Sequence, residues 1–182
     1  MLVQHTLLLT VVGPLLAAAS EKGLLRLGFL RENYEYSTCI QALARQWGAE
    51  TELNQNADFF TPLATQLGEY FCGRRTRFDI QLDLRGSTFQ LAIWRRLSEI
   101  PYGKLRSYRR IAREAGYPKA ARAAGQAAGQ NPLVIVVPCH RLIGADGRLV
   151  GFGGGMTLKA QLLRLEGHTL DRKPRVVAPR LF

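Results

Sequence analysis

Two short helical stretches joined by one glycine turn constrain this chain more than any other feature. The first, "YRRIAREAG", spans Tyr108 to Gly116. Ser107 is placed to cap its start and Gly116 to end it. Pro118 suits the first position of a second helix, "PKAARAAGQAAGQ", which runs to Gln130. Two short helices about a tight turn make a helix-turn-helix. Upstream, Ser87 and Gln90 have the spacing of a capping box, and Phe89, Ile93, Trp94 and Leu97 follow at helical spacing. Downstream, Asn131-Pro132 ends the second helix, and Thr157 is expected to cap a further one over Leu158 to Gly167. The second half therefore reads as mainly helical.

The second helix is rich in alanine, with Ala120, Ala121, Ala123, Ala124, Ala127 and Ala128. Such a helix either packs tightly inside the protein or lies deep in a groove. Lys119 and Arg122 fall three apart, hence on one face. Charge favours the groove. The 182 residues carry a formal net charge of +11. Residues 1–84 hold seven basic and nine acidic side chains, a net −2, whereas residues 85–182 hold 18 and 5, a net +13. A polyanion such as nucleic acid is the expected partner of that half.

The first half reads as a small α/β scaffold without a chemical cluster. Strand-like stretches cover about Val3 to Ala19 and Leu24 to Leu30, and Arg77 to Leu84 alternates like a half-buried strand. Cys39–Gly48 and Ala57–Gly73 have helical spacing. The apolar run Thr6–Ala19 resembles a secretory signal, but Met1–His5 carries no Lys or Arg and Gly13-Pro14 splits the run. It is also shorter than the ~20 residues of a spanning helix. Two strands about a Glu21-Lys22-Gly23 turn are expected instead, with no membrane partner. The three cysteines, Cys39, Cys72 and Cys139, and the three histidines, His5, His140 and His168, are scattered. That pattern argues against a disulfide framework and a metal site, and for a reducing, cytoplasmic compartment.

"VIVVPCHRLIG" (Val134 to Gly144) reads as a buried strand running into Cys139. Cys139 is either a small core hydrophobe or a nucleophile. For the latter, His140 must take the thiol proton, through a turn at Pro138 or a bridging water, because neighbours on a strand face opposite ways. Glu166 is the natural carboxylate to orient that imidazole, although a helix C-terminus disfavours an acid.

These residues carry a resemblance. "VPCHR" at Val137–Arg141, "NP" before it, the glycine-rich loop "GADGRLVGFGGG" and "LEG" at Leu165–Gly167 resemble the O6-alkylguanine-DNA alkyltransferase family. "FQLAIWRRLSEIPYGKLRSYRRIA" and "PKAARAAGQA" extend the match over about Leu84 to Gly167. The resemblance implies an RNase H-like α/β domain over 1–84, a winged helix-turn-helix domain over 85–170, and a basic mobile tail over 171–182. It implies direct DNA repair: base flipping, then irreversible, one-turnover transfer of the alkyl group to Cys139. Reaction with O4-alkylthymine stays open.

In that family pattern His140 and Glu166 form a water-linked relay and Asn131 orders the site. Tyr108 helps rotate the nucleotide and donates to the base, and Lys159 lies near the leaving O6. Arg122 is the finger that fills the vacated stack, and Lys119, Ala121 and Gly125 join Tyr108 in contacting DNA. Val137, Pro138, Leu142, Phe152 and Gly153 wall the base pocket. Many members carry tyrosine where this chain has Phe152, and some carry serine at Gly153. No cofactor and no zinc are implied, since His5, Cys39 and Cys72 match no ligand arrangement. The partner is double-stranded DNA, read through the minor groove by a nucleoid-associated monomer, with cooperative assembly open. Two other classes remain: a non-catalytic module that senses alkylated bases, which Cys139 counts against, and a Cys–His hydrolase with repeated turnover.

Overall fold

The computed structural model describes residues 1–30, 35–171 and 175–177. They belong to two compact units, Met1–Arg85 and Gly86–Phe182.

The first unit is a four-stranded mixed sheet with two helices. Its strands are β1 (Leu2–Thr10), β2 (Gly13–Ser20), β3 (Gly23–Phe29) and β4 (Glu52–Gln55), in the order β3-β2-β1-β4. β1, β2 and β3 pair antiparallel, and β4 lies parallel to β1. The Val3–Ala19 stretch is thus two strands, split where Gly13 takes φ +102. The strands about Glu21-Lys22 form as expected. In β2 every residue from Leu15 to Ser20 is buried, because the strand is covered on both faces and so loses the alternation of a one-sided strand. Val3, Leu16, Ala18 and Leu25 pack on Ile40 of α1 (Tyr36–Trp47). A 3₁₀ turn at Asp58–Phe60 leads into α2 (Thr61–Phe71). Burial alternates from Arg77 to Leu82, but among the described residues the backbone of this stretch joins the sheet only through a bridge between Leu82 and Leu24.

The second unit is mainly helical: α3 (Thr88–Ser98), the short strand β5 (Arg106–Ser107), α4 (Tyr108–Glu114), α5 (Ala121–Gly129), the short strand β6 (Leu142–Ile143) and α6 (Met156–Leu165). The capping box forms, with Gln90 N–H donating to Ser87 Oγ and Ser87 N–H to Gln90 Oε1. The Ser107 side chain accepts from Arg110 N–H and caps α4, which opens the helix-turn-helix with α5.

Four local expectations need correction. Pro118 does not open α5; it sits in a turn closed by Ala120 N–H to Tyr117 O, a position that suits its fixed φ. Lys119 therefore lies in that turn and shares no helical face with Arg122. Thr157 is inside α6, whose start is Gly155 at φ +87 with no side-chain cap. Leu133–Pro138 is not a strand but a coil of tight turns, described below. The tail over 171–182 is not wholly loose. Val176 is 2% exposed and packs with Leu105, Ile143, Leu149, Ala160 and Leu163, and its N–H donates to Gly147 O. The remainder of the tail, 172–174 and 178–182, lies outside the described residues.

The alanines of α5 divide between the two readings. Ala124, Ala127 and Ala128 are buried, while Arg122, Gln126 and Gly129 are exposed. Trp94 Nε1 donates to Ala127 O at 2.8 Å, which fixes how closely α3 and α5 approach. Small residues are needed on the inner face for that packing. Ala124→Leu is expected to cost about 1–3 kcal/mol through overpacking, read as a lower urea midpoint, with Arg122 still exposed.

Candidate active site

Cys139 is reached through turns, not along a strand. Val136 N–H donates to Val134 O at 2.9 Å across Ile135, which holds φ +73. For a β-branched residue that is a strained conformation, of order 1–3 kcal/mol. Val137 N–H donates to Leu133 O, and Cys139 N–H to Val137 O across Pro138 at φ −82, ψ 63. Asn131 supplies what a neighbouring strand would have supplied. Its Oδ1 accepts from Leu133 N–H at 3.0 Å, and its Nδ2 donates to Val137 O at 2.7 Å and to Cys139 Sγ at 3.1 Å. Cys139–Arg141 then forms one 3₁₀ turn. This turn removes the strand geometry that would have set thiol and imidazole on opposite faces.

The next two residues of the motif converge on Glu166, which ends α6. His140 Nε2 meets Glu166 Oε1 at 2.8 Å. Arg141 donates to both carboxylate oxygens, from Nε at 2.9 Å to Oε2 and from Nη2 at 2.9 Å to Oε1. Gly103 N–H adds a bond to Oε2 at 3.1 Å. The three side chains of this cluster are buried. Burial alone would raise the Glu166 pKa, but the bonds and charges of His140 and Arg141 outweigh it and hold the carboxyl well below its usual range. Burial pushes the His140 pKa down, against the pull of Glu166. The arrangement is an ionised carboxylate between a permanent guanidinium and a neutral imidazole. Burial also pushes the Cys139 thiol up, against the Asn131 bond and the Lys159 charge.

β5 pairs in parallel with β6, Arg106 with Leu142 and Ser107 with Ile143. That ladder ties the start of the helix-turn-helix to the segment just past the thiol. It brings Tyr108, the first residue of α4, to the site. Tyr108 donates its hydroxyl to Val150 O at 2.7 Å, and burial together with Cys139 pushes its pKa up to about 12. Lys159 is fully buried on α6. Its Nζ donates to Leu142 O and, at 2.8 Å, to Val150 O. Burial lowers its pKa to about 8. The Phe152 ring lies edge-on to His140, centroids 6.4 Å apart.

The structure thus gathers Cys139, His140, Glu166, Asn131, Tyr108 and Lys159, with Val137, Pro138 and Leu142 buried about them. Gly153 is exposed in the glycine-rich loop. Arg122 stands exposed on the first turn of α5, and Lys119 is exposed in the turn before it. Ala121 is half-buried, and Gly125 faces inward, where a Cβ would meet Tyr108 Cδ1 at 3.4 Å. Sequence reasoning missed Arg141. Its signal was present, a charged residue inside an otherwise apolar motif, but Asp146 is the acid nearer in the chain, and only the fold shows that Arg141 shares Glu166 with His140. Among the described residues no group of three or more His, Cys, Asp or Glu could hold a metal ion, and no helix is long and apolar enough to cross a membrane.

A buried thiol near the first residue of a helix-turn-helix, beside a carboxylate-held imidazole, is the arrangement of a DNA-binding type of domain with a candidate nucleophile at its core. Family models agree in both units. Residues 88–168 match the DNA-binding domain of 6-O-methylguanine DNA methyltransferase, and residues 3–84 match its ribonuclease-like domain. The chain belongs to that family. It is 44% identical over 155 residues to the methylated-DNA–protein-cysteine methyltransferase of Mycobacterium bovis, covering 85% of this chain and 87% of that one. It is 41% identical over 159 residues to that of Methanosarcina barkeri, covering 87% and 94%. A crystal structure of Mycobacterium tuberculosis OGT in complex with DNA superposes with a TM-score of 0.74 at 40% identity, over 91% of this chain and 92% of that one.

Proposed function

We propose that this chain repairs alkylated DNA directly, by taking the alkyl group from O6 of guanine onto its own Cys139. The observation that carries this reading is the coupling of the helix-turn-helix to the thiol through the β5–β6 ladder, with Asn131 Nδ2 on the sulfur at 3.1 Å. Residues 1–84 act as the scaffold and 85–170 as the alkyltransferase domain. The protein works as a monomer in the cytoplasm, associated with the nucleoid.

A thiol cannot reach O6 in line inside a duplex, so the nucleotide must leave the stack, at a cost of a few kcal/mol. Arg122, exposed and at the start of α5, enters the space left behind. Approach through the minor groove suits a repair protein, because sequence readout there is degenerate. Lys and Arg side chains, Lys119 among them, contact phosphates. In the pocket His140 takes the thiol proton through a water, as a neutral imidazole can. The sulfur attacks the alkyl carbon, the C–O6 bond breaks, and the electron pair leaves on the guanine oxygen. Tyr108 stays a phenol at neutral pH and donates to that oxygen after releasing Val150. Lys159 uses two donors on carbonyls and keeps positive charge beside the sulfur and the leaving group. The thioether has no route back to a thiol.

Duplex DNA carrying a labelled O6-methylguanine tests this reading. The label is expected to move to the protein and to saturate at one per chain, on the peptide that contains Cys139. Repeated turnover, or label released as a small molecule, would favour a hydrolase instead.

A further inference from the structure

The first unit holds a cavity of about 260 Å³ over the α1 face of the sheet, lined by Leu16, Arg26, Phe29, Cys39 and Leu43 among others. Its walls are mostly apolar, with Thr38 and Cys39 among them, and Arg26 is the one charged residue of the lining. Arg26 makes no hydrogen bond and no ion pair among the described residues, and burial pulls its basicity below the ordinary value. Cys39 opposes that effect only in part, so a guanidinium desolvated with no carboxylate beside it among the described residues is unfavourably placed, and a planar carboxylate would accept two parallel N–H bonds from it. Gly28 adds an independent sign that the side chain is accommodated here. A Cβ at Gly28 would meet Arg26 Nε at 2.8 Å and Nη2 at 3.0 Å. Gly28 has no left-handed φ, so the glycine serves space and not backbone freedom. The Arg26 side chain folds back across it toward the cavity.

We propose that this cavity is a binding site for a small carboxylate with an apolar body, anchored on Arg26. Apolar walls from β2, β3 and α1 take the body of the ligand, and the single guanidinium fixes its orientation. The site lies within the first unit and shares no lining residue with the Cys139 cluster.

Cys39, on the cavity wall, is a built-in reporter, and exposed Cys72 is the internal control. The probes are carboxyethyl and aminoethyl methanethiosulfonate, matched in size and opposite in charge. In each the cysteine loses its proton to buffer, its sulfur bonds to the probe sulfur, and methanesulfinate leaves. Peptide mass mapping gives the labelling rate at each thiol. At Cys39 the anionic probe is expected to gain about tenfold on the cationic one relative to Arg26→Gln, a modest part of what one close charge supplies. The ratio at Cys72 is expected to stay the same in both proteins. Gly28→Ala, which displaces the guanidinium, is expected to lose the preference in the same way. In the unmodified protein 3-phenylpropionate is expected to slow labelling of Cys39, and uncharged 3-phenylpropanol to do so far less. A charge ratio at Cys39 unchanged by Arg26→Gln, or equal protection by acid and alcohol, overturns the proposal. Neither result bears on alkyl transfer.

Discussion

Cys139→Ala is expected to abolish label transfer from O6-methylguanine DNA entirely while duplex binding stays at the unmodified level. The two readouts separate because the residues proposed to touch DNA, Arg122, Lys119 and Tyr108, do not depend on the sulfur for their positions. Arg122 and Lys119 are exposed, and Tyr108 is held by its bond to Val150 O. The fold should tolerate the change. Cys139 is 7% exposed, and removing one sulfur from such a site costs about 1 kcal/mol, comparable to a buried methylene. Asn131 Nδ2 loses one acceptor but keeps Val137 O at 2.7 Å. Cys139→Ser is a sharper control. It keeps an acceptor for Asn131, yet a hydroxyl deprotonates far less readily than a thiol and is expected to transfer nothing measurable. Gel mobility with a labelled duplex reads binding, and protein-bound label reads transfer. Residual transfer by Cys139→Ala would send the assignment to Cys39 or Cys72.

The elements that could be read from the sequence are those whose cause is local. The Ser87–Gln90 box, the Ser107 cap and the spacing of Ile93, Trp94 and Leu97 are each set within one or two helical turns, and each forms. The failures share a different cause. Val134–Val137 has the composition of a strand, because β-branched side chains favour extended backbone. Its real conformation is imposed by one side chain, the Asn131 amide, which bonds at both ends of the segment and drives Ile135 to φ +73. No window of residue propensities contains that information. Lys119 was misplaced because Pro118 suits a helix start and a turn equally well. For the site, the motif about Cys139 named the thiol, the imidazole and Glu166. It did not reveal that Arg141 binds the same carboxylate, since that requires knowing which way three consecutive side chains leave a 3₁₀ turn. The mobile tail failed at Val176 because docking of one valine into a core depends on the rest of the unit.

Glu166→Ala is expected to destabilise the protein by about 3–5 kcal/mol, the usual cost of removing one partner from a buried ion pair. That is a large share of a typical folding stability of ~5–15 kcal/mol. The carboxylate side chain has no exposure and Arg141 only 7%, so water cannot replace the lost bonds. Among the described residues the guanidinium would keep only its bond to Ile100 O and its approach to the Tyr102 ring. A lower urea midpoint with an unchanged slope would report this. Glu166→Gln combined with Arg141→Met should recover part of the loss, because a paired deletion leaves no stranded charge. The same cluster sets the response to acid. Glu166 is held below its unfolded value of about 4.3, so its contribution is complete above that pH and is lost as pH falls toward its folded pKa. His140 is also depressed by burial. The unfolded chain takes up that proton below about pH 6.5 while the folded protein resists it, which again removes stability as pH falls. Stability should therefore decline in two stages on acidification, first below about 6.5 and then below about 4.3. In Glu166→Ala the second stage should be weaker, so the gap to the unmodified protein narrows in acid. Urea midpoints at neutral pH and at successively lower pH test both parts. An unmodified midpoint for Glu166→Ala at neutral pH would mean that the buried His140–Glu166–Arg141 cluster is not what holds the active-site turn in place.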